Sequence, residues 1–536
     1  MNLYLLIAIV VALYLDILLI GHLAGTWKRL GVSLYGPVMM LRTARGQGLI
    51  ERLAKRRRAW RAFGSAAVFG TVASMAVLTA FLLVRAYQGV VSAEAGIEIE
   101  FPPADQVVIA IYVVFGFAVA ILVHEYAHGI MAIVGRMRIR SMGILLFVIP
   151  IGAFVEPHEE DLKSSPRADR IRLYSAGVAS NMLLAGFCFA VLVGSLTPAA
   201  QPVAMGAIVT EVAPDSPAAI YGMKPWSEVF SIEGQPVLNA TQLYSASFAE
   251  PGAKVSVHVI YRTEQVVLEM PGGIVVTEVY EGPAFDAGLM PGMIISRLND
   301  TVINTLSEFR SVTENSSHYE PVNITVLTYG YDPSRGEPWF VEDPSIRTIS
   351  LASKWVYYYT HFRDENREEY RNVSFMAVSA APLGITVHDP EYLTDVYTLP
   401  FEGPGGREGF IGLPFIGYWP VTSPASDLYE PTGIYSLMPA DVYWALVNMF
   451  YWLFWVNLML GLTNALPAIP FDGGYLLRDL LKETAHRLEQ RFSGLDRAIG
   501  RRLVAEVQID TLMWIVSGAV LLLTLYIVLV GVFGPM

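Results

Sequence analysis

A single cysteine, Cys188, stands among 536 residues. That scarcity excludes a disulfide framework and any cysteine-built metal cage, and it leaves Cys188 as a small buried apolar side chain. Charge is scarce too. Asp, Glu, Lys and Arg make up 16% of the chain, against roughly a quarter in an ordinary soluble domain. What remains is acidic, with a formal net charge of −12, and so argues against a nucleic-acid partner. Over several stretches charge is missing altogether. Residues 64–84, 107–123, 173–210, 442–471 and 511–536 carry none, and residues 1–20 carry only Asp16. With its flanks, each can supply the ~20 apolar residues of a bilayer span. The expectation is a polytopic α-helical membrane protein of about six transmembrane helices.

The first run reads as a span and not as a signal peptide, since no basic stretch precedes it and no clear small-residue cleavage site follows. Basic residues give the orientation. Lys28, Arg29, Arg42, Arg45, Arg52, Lys55, Arg56, Arg57, Arg58 and Arg61 crowd the first loop, which should face the cytoplasm. Arg136, Arg138 and Arg140 fall on the same side after the third span, as do Arg478, Lys482, Arg487, Arg491, Arg497, Arg501 and Arg502 before the last. The acidic stretch 93–105 belongs outside. These basic loops also suit anionic lipid heads.

Residues 200–440 differ in kind, with polar alternation, many β-branched residues and frequent Gly and Pro. An internal repeat runs through them. Gly206-Ala-Ile-Val-Thr-Glu-Val212 is echoed by Gly273-Ile-Val-Val-Thr-Glu-Val279, Ser216-Pro-Ala218 by Gly282-Pro-Ala284, and Gly222-Met-Lys-Pro225 by Gly288-Leu-Met-Pro291. A glycine-led strand, a Pro-Ala helix start, a turn and a second strand in this order resemble permuted PDZ domains. The second copy matches better, because Trp226-Ser227 replace the expected Gly-Asp in the first. The resemblance implies capture of peptide termini by strand addition. Gly206, Gly272 and Gly273 would then sit in the carboxylate-holding loops, or would simply begin strands of rigid spacers. Asn239, Asn299, Asn315, Asn323 and Asn372 each begin an Asn-x-Ser/Thr sequon, all within this outer region.

Chemistry concentrates in His124-Glu125-Tyr126-Ala127-His128, which closes the uncharged run 107–123. Imidazoles at i and i+4 share a helix face and can grip one zinc ion, with the intervening Glu placed to act on its water. Ionisable groups at membrane depth are functional candidates by default. A catalytic zinc takes three protein ligands, so one more His, Asp or Glu is needed at similar depth. Asp472 is the best candidate, in Asn464-Ala-Leu-Pro467-Ala-Ile-Pro470-Phe471-Asp472-Gly473-Gly474. Two prolines break a helix there and two glycines let the chain turn. Asp472 capping a cytoplasmic helix over 475–491, and His158 as another ligand, are the competing readings. Residues 143–157 are apolar, β-branched and interrupted by Pro150 and Gly152. They read as an extended re-entrant segment that either pairs with an unwound substrate or packs over the site.

Together, His-Glu-x-x-His in one span, Asn-x-x-Pro-x-x-Pro-x-Asp-Gly in a later one and PDZ-like copies between them resemble the site-2 protease family of intramembrane zinc metalloproteases. The resemblance covers residues 106–196 and 442–480 and, more loosely, the repeat. It implies one zinc ion per chain on His124, His128 and Asp472, with Glu125 as catalytic acid/base. Ala176-Gly177-Val178-Ala179-Ser180-Asn181 is similar to the family's Ala-Gly-Pro-x-x-Asn motif, with Val178 in place of Pro. It makes Asn181 a candidate contact to substrate or oxyanion, beside Gly152 and Asn464. Implied substrates are single-span membrane proteins, trimmed first by another protease.

The expected layout has a first span with a basic loop at 1–63 and the first half of a membrane core at 64–200. PDZ-like domains follow at 201–271 and 272–330, then a β-rich extension at 331–440 and the second half of the core at 441–536. The site would lie near the cytoplasmic face and the inserted β-rich region would be extracytoplasmic. Two other classes compete: a membrane-tethered PDZ scaffold with a non-catalytic zinc site, and a metal-ion transporter. The transporter needs more in-membrane carboxylates and histidines than the spans hold.

Overall fold

The computed structural model describes residues 3–24, 26–29, 32–43, 46–92, 107–147, 149–331, 338–342, 347–362, 368–392, 423–492 and 506–533. The acidic stretch 93–105 and Arg45, Arg497, Arg501 and Arg502, used above for orientation, lie outside them. Two compact units result, one mainly from residues 1–195 and 446–536, the other from residues 196–410 and 421–445.

The first unit begins with helix α1 (Leu3–Leu23) and a hairpin of β1 (Val32–Tyr35) and β2 (Val38–Thr43). The sequence reading had only a span and a basic loop over this stretch. Gly36-Pro37 makes the turn between two apolar tetrads, with Gly36 at φ 57°. Short helix α2 (Gln47–Ala54) follows, then α3 (Arg57–Ser92) and α4 (Val107–Val134), which carries the His-Glu-x-x-His. Next come β3 (Ile139–Phe147) and β4 (Ile149–Pro157), so the stretch expected to be re-entrant lies largely in a hairpin. With the early hairpin it forms an antiparallel sheet of order β1-β2-β3-β4, in which β4 is an edge. Arg138 holds Asp161 beyond that edge through three hydrogen bonds of 2.8–2.9 Å. The guanidinium keeps this carboxyl well below the ordinary carboxylate range.

Helix α5 (Arg167–Val191) ends sooner than the uncharged run 173–210 suggests. A π turn at Leu192–Leu196 and a 3₁₀ turn at Thr197–Ala199 close it where Pro198 cannot continue a helix. The rest of that run enters strands of the second unit.

There the repeat becomes two sheets of matching plan. The first copy supplies β5 (Ala207–Val212), β6 (Glu228–Ile232), helix α6 (Ala240–Tyr244), β7 (Lys254–Tyr261) and β8 (Glu264–Pro271). The second supplies β9 (Ile274–Val279), β10 (Ile294–Leu298), helix α7 (Leu306–Asn315), β11 (Pro321–Tyr331) and β12 (Pro338–Glu342). Both helices are capped alike: Asn239 accepts from Gln242 N, and Thr305 accepts from Glu308 N. The unexplained stretch 331–440 contributes to both: β12 and the strand Arg347–Ser350 pair with β11 of the second sheet, and two consecutive strands then finish the far edges. β13 (Val378–Pro382) pairs with β9, and β14 (Ile385–His388) pairs with β5. The turn between them places Leu383 and Gly384 at φ 60° and 78°. The sheets run β8-β7-β6-β5-β14 and β12-β11-β10-β9-β13, so the added strands are edges. Val209, Val229 and Val257 of the first sheet and Ile274, Ile295 and Ile324 of the second are fully buried. Burial alternates with the strand period in β7, β11 and β14, where the apolar/polar alternation was legible, whereas β5 and β9 each begin with three consecutive buried residues.

The chain returns to the first unit along helix α8 (Ala440–Asn464), then helix α9 (Asp472–Phe492) and helix α10 (Glu506–Phe533). Five helices among the described residues are long and apolar enough to cross a membrane: Arg57–Tyr87, Ala110–Val134, Arg167–Ala199, Ala440–Asn464 and Gln508–Ile527. Among the described residues, Ala12–Gly21 of α1 forms a shorter apolar helix.

Candidate metal centre

The turn after α8 brings Asp472 back toward α4. A Cβ on Gly474 would come within 2.6 Å of Ile469 N and the Ala468 carbonyl oxygen, so only glycine lets α9 start against the preceding turn. Ser517 of α10 supports that turn by accepting from Ile469 N at 2.9 Å. Asp472 thus lies in the first turn of α9, where the helix dipole favours a carboxylate. Its Oδ2 stands 3.0 Å from His124 Nε2 and 3.1 Å from His128 Nε2, and the two Nε2 atoms are 3.1 Å apart. Both imidazoles are buried. Among the described residues this is the group of three side chains whose donor atoms converge as a metal site would need. His158, the alternative ligand, instead precedes the short helix Glu159–Ser164.

The hydrogen bonds around the triad decide what it can hold. His128 Nδ1 is 2.8 Å from the Leu173 carbonyl, which can only accept, so Nδ1 carries the proton and Nε2 keeps its lone pair. His124 Nδ1 faces the Asn181 side-chain amide at 3.3 Å, and Asn181 Oδ1 is buried with no partner. Turning that amide by 180° puts the oxygen on an Nδ1–H, removes the orphan and frees His124 Nε2 as well. Three electron pairs then point at one another across about 3 Å, a repulsive arrangement that a cation relieves. Tetrahedral zinc with bonds of about 2.0–2.1 Å spaces its ligand atoms roughly 3.3 Å apart, close to the distances seen. The residues fit a metal.

Gly177 makes the approach possible. A Cβ there would lie 2.6 Å from His124 Cε1 and Nε2, and closer still to His128 Nε2. Its place in the Ala176–Asn181 motif was the available signal, but spacing alone gave it no role. Glu125 lies beside the triad, and its Oε2 accepts from the Val155 N–H of β4 at 2.9 Å. Gly152 stands in the same strand opposite Leu145. Asn464 ends α8, half-buried, with its amide donating to Leu460 O at 3.0 Å.

The three glycines considered for carboxylate loops are buried, and the donors of Gly206 and Gly272 are engaged. Gly206 N and Met205 N both donate to Glu228 Oε1 at 2.7 Å, and Gly272 N donates to Ala253 O at 2.8 Å. None lies on an edge strand.

Residues 112–504 match the description Peptidase family M50. The chain belongs to that family. Its members are zinc metalloproteases of the membrane, and the triad found here is a site that can bind a metal ion. The chain is also similar to a probable periplasmic serine endoprotease, DegP-like, of Pseudomonas putida, at 26% identity over 23% of this chain and 36% of that protein. A DegP-like protein of Pseudomonas fulva matches at 23% identity with the same shares. An uncharacterized protein of Methanocaldococcus jannaschii matches at 32% identity over 29% of this chain and 43% of its own length. The chain therefore spans less than half of each of these relatives.

Proposed function

We propose that this chain is an intramembrane zinc endopeptidase that hydrolyses peptide bonds in the membrane segments of single-span proteins. The observation that carries this reading is the convergence of His124, His128 and Asp472 beside an anchored Glu125. His124, His128 and Asp472 would hold one zinc ion per chain, which would supply a Lewis acid for the scissile carbonyl and bring the pKa of a water toward neutrality. Leu173 and Asn181 hold the two Nδ1 protons so that both Nε2 atoms stay available. Asn181 in this account orients His124 and does not face the oxyanion. Glu125, fixed through Oε2, takes the proton of the attacking water at Oε1 and passes it to the leaving amine.

A membrane helix hides its peptide bonds, so substrate must unwind before attack. The Val155 N–H that reaches Glu125 marks the open side of edge strand β4, and alternation puts the Ala153 backbone on the same side. A substrate strand added there runs past Glu125, with Gly152 in the strand that receives it. Asn464 remains a candidate contact. The basic loops orient the site toward the cytoplasmic face, with residues 201–440 on the other side.

The repeat serves as a PDZ-like pair that selects substrates, a reading supported by the DegP-like relatives. The second copy offers the open groove: a cavity of about 210 Å³ between α7 and β13, with Arg310 and Lys354 in its lining. In the first copy Tyr244 of α6 occupies the corresponding edge, its hydroxyl 3.1 Å from Val387 N and 3.4 Å from Val387 O.

The test is incubation of the purified chain with a single-span substrate, with and without chelator, comparing wild type with Glu125→Gln. Chelator should stop cleavage, and the variant should keep its zinc but lose roughly 10²–10⁴-fold in rate. Equal cleavage by the variant would reject the role given to Glu125.

A further inference from the structure

We infer that the buried Arg170–Asp479 ion pair is the brace that sets Asp472 at the metal, a positioning role that rests on the reading above. Asp479 Oδ2 accepts from Arg170 Nε at 2.7 Å, with side-chain exposures of 2% and 14%. An ion pair withdrawn this far from water is costly to build unless its geometry is tight. Here Arg170 Nη1 also donates to Ser165 O at 2.9 Å, and Arg167 Nη1 donates to Lys482 O at 3.1 Å, so α5 grips α9 at two neighbouring turns.

The spacing along the two helices shows what the grip controls. Asp472, Leu476 and Asp479 stand at i, i+4 and i+7, one face of α9. Arg170, Leu173 and Gly177 stand at i, i+3 and i+7 on α5. Seven residues above Arg170, Gly177 meets both imidazoles. Seven residues before Asp479, Asp472 meets them from α9. Between these ends, Tyr174 stacks on Tyr475 at 5.5 Å with an angle of 25° between rings. The two helices therefore run oppositely, with matched two-turn lever arms from ion pair to metal site. A slip of one helical turn moves a side chain by about 5.4 Å, well beyond the 3.0 Å that separates Asp472 Oδ2 from His124 Nε2. Neither Arg170 nor Asp479 touches the triad, so their effect on it passes through helix register.

The experiment measures zinc dissociation by chelator competition on the full-length purified chain, alongside thermal unfolding. Asp479→Asn and Arg170→Gln should each weaken zinc by about 10–100-fold, the scale on which losing support for a ligand's position weakens a site. The exchange Arg170→Asp with Asp479→Arg should restore part of that loss. Arg172→Gln is the control, since its partners are Asp169 of α5 and Ser65 of α3 and neither belongs to α9, and it should leave zinc unchanged. If wild type holds zinc and both single variants hold it equally well, whatever their melting temperatures, the brace is overturned and the metal centre stands. If wild type holds none, the metal reading fails and takes the brace with it.

Discussion

The two units of this chain assemble function in opposite ways. In the membrane unit, chemistry depends on a few atoms from helices far apart in sequence. His124 and His128 come from α4, Asp472 from α9, and Gly177, Leu173 and Asn181 from α5. In the β-rich unit, the same plan is built twice with different side chains at matching positions. Capping positions align Asn239 with Thr305, so Tyr244 on α6 corresponds to Arg310 on α7. Tyr244 bonds the edge of its own sheet, whereas Arg310 lines a cavity. Glu228, which holds Met205 N and Gly206 N, corresponds to Ile294. The lesson is one of tolerance: under the proposed function, loss of one triad ligand is expected to remove the chemistry, while a change at one repeat residue is expected to alter which peptide is held.

The largest effect that comparison predicts is from Asp472→Ala. It should empty the site, measured as zinc per chain, and abolish cleavage of every substrate tested. Full zinc and undiminished cleavage in that variant would collapse the distinction between the units. Gly177→Ala should come next, because its Cβ has no room against the imidazoles. Zinc affinity should fall by about 10–100-fold, while the β-rich unit keeps its unfolding transition in calorimetry. Smallest are the repeat variants. Arg310→Ala should weaken capture of an extended peptide about 3–10-fold, the worth of one exposed-to-half-buried charged contact of ~1 kcal/mol, without altering zinc. Tyr244→Ala should open the first groove and raise peptide binding by a similar factor. Tighter binding from Arg310→Ala, or none gained from Tyr244→Ala, would contradict the assignment of open and closed grooves.

Much of this organisation was legible in the residues, for reasons that differ by region. The His-Glu-x-x-His pair could be placed because an i, i+4 spacing fixes a shared face on any helix. Asp472 could be proposed because Pro467, Pro470, Gly473 and Gly474 announce a turn around a lone carboxylate. The repeated sheets announced themselves through copied Gly-, Pro- and β-branched positions. What stayed hidden depends on long-range pairing. Nothing local in residues 378–388 says that they finish two different sheets. The hairpin at Val32–Thr43 is marked by Gly36-Pro37 at its turn, but the basic residues around it give that stretch the composition of a loop. Leu173 acts through a carbonyl and Gly177 through the side chain it lacks, so neither carries a recognisable chemical signature. Arg170 and Asp479 read as ordinary solvated charges until their burial is seen.

X-ray absorption at the zinc edge of the purified, full-length chain tests the central claim most directly. The account predicts one zinc per chain in a nitrogen/oxygen shell at about 2.0–2.1 Å, with the multiple-scattering signature of two imidazoles that falls away in His124→Ala and His128→Ala. A zinc-free protein, or a shell unchanged by both substitutions, would contradict it.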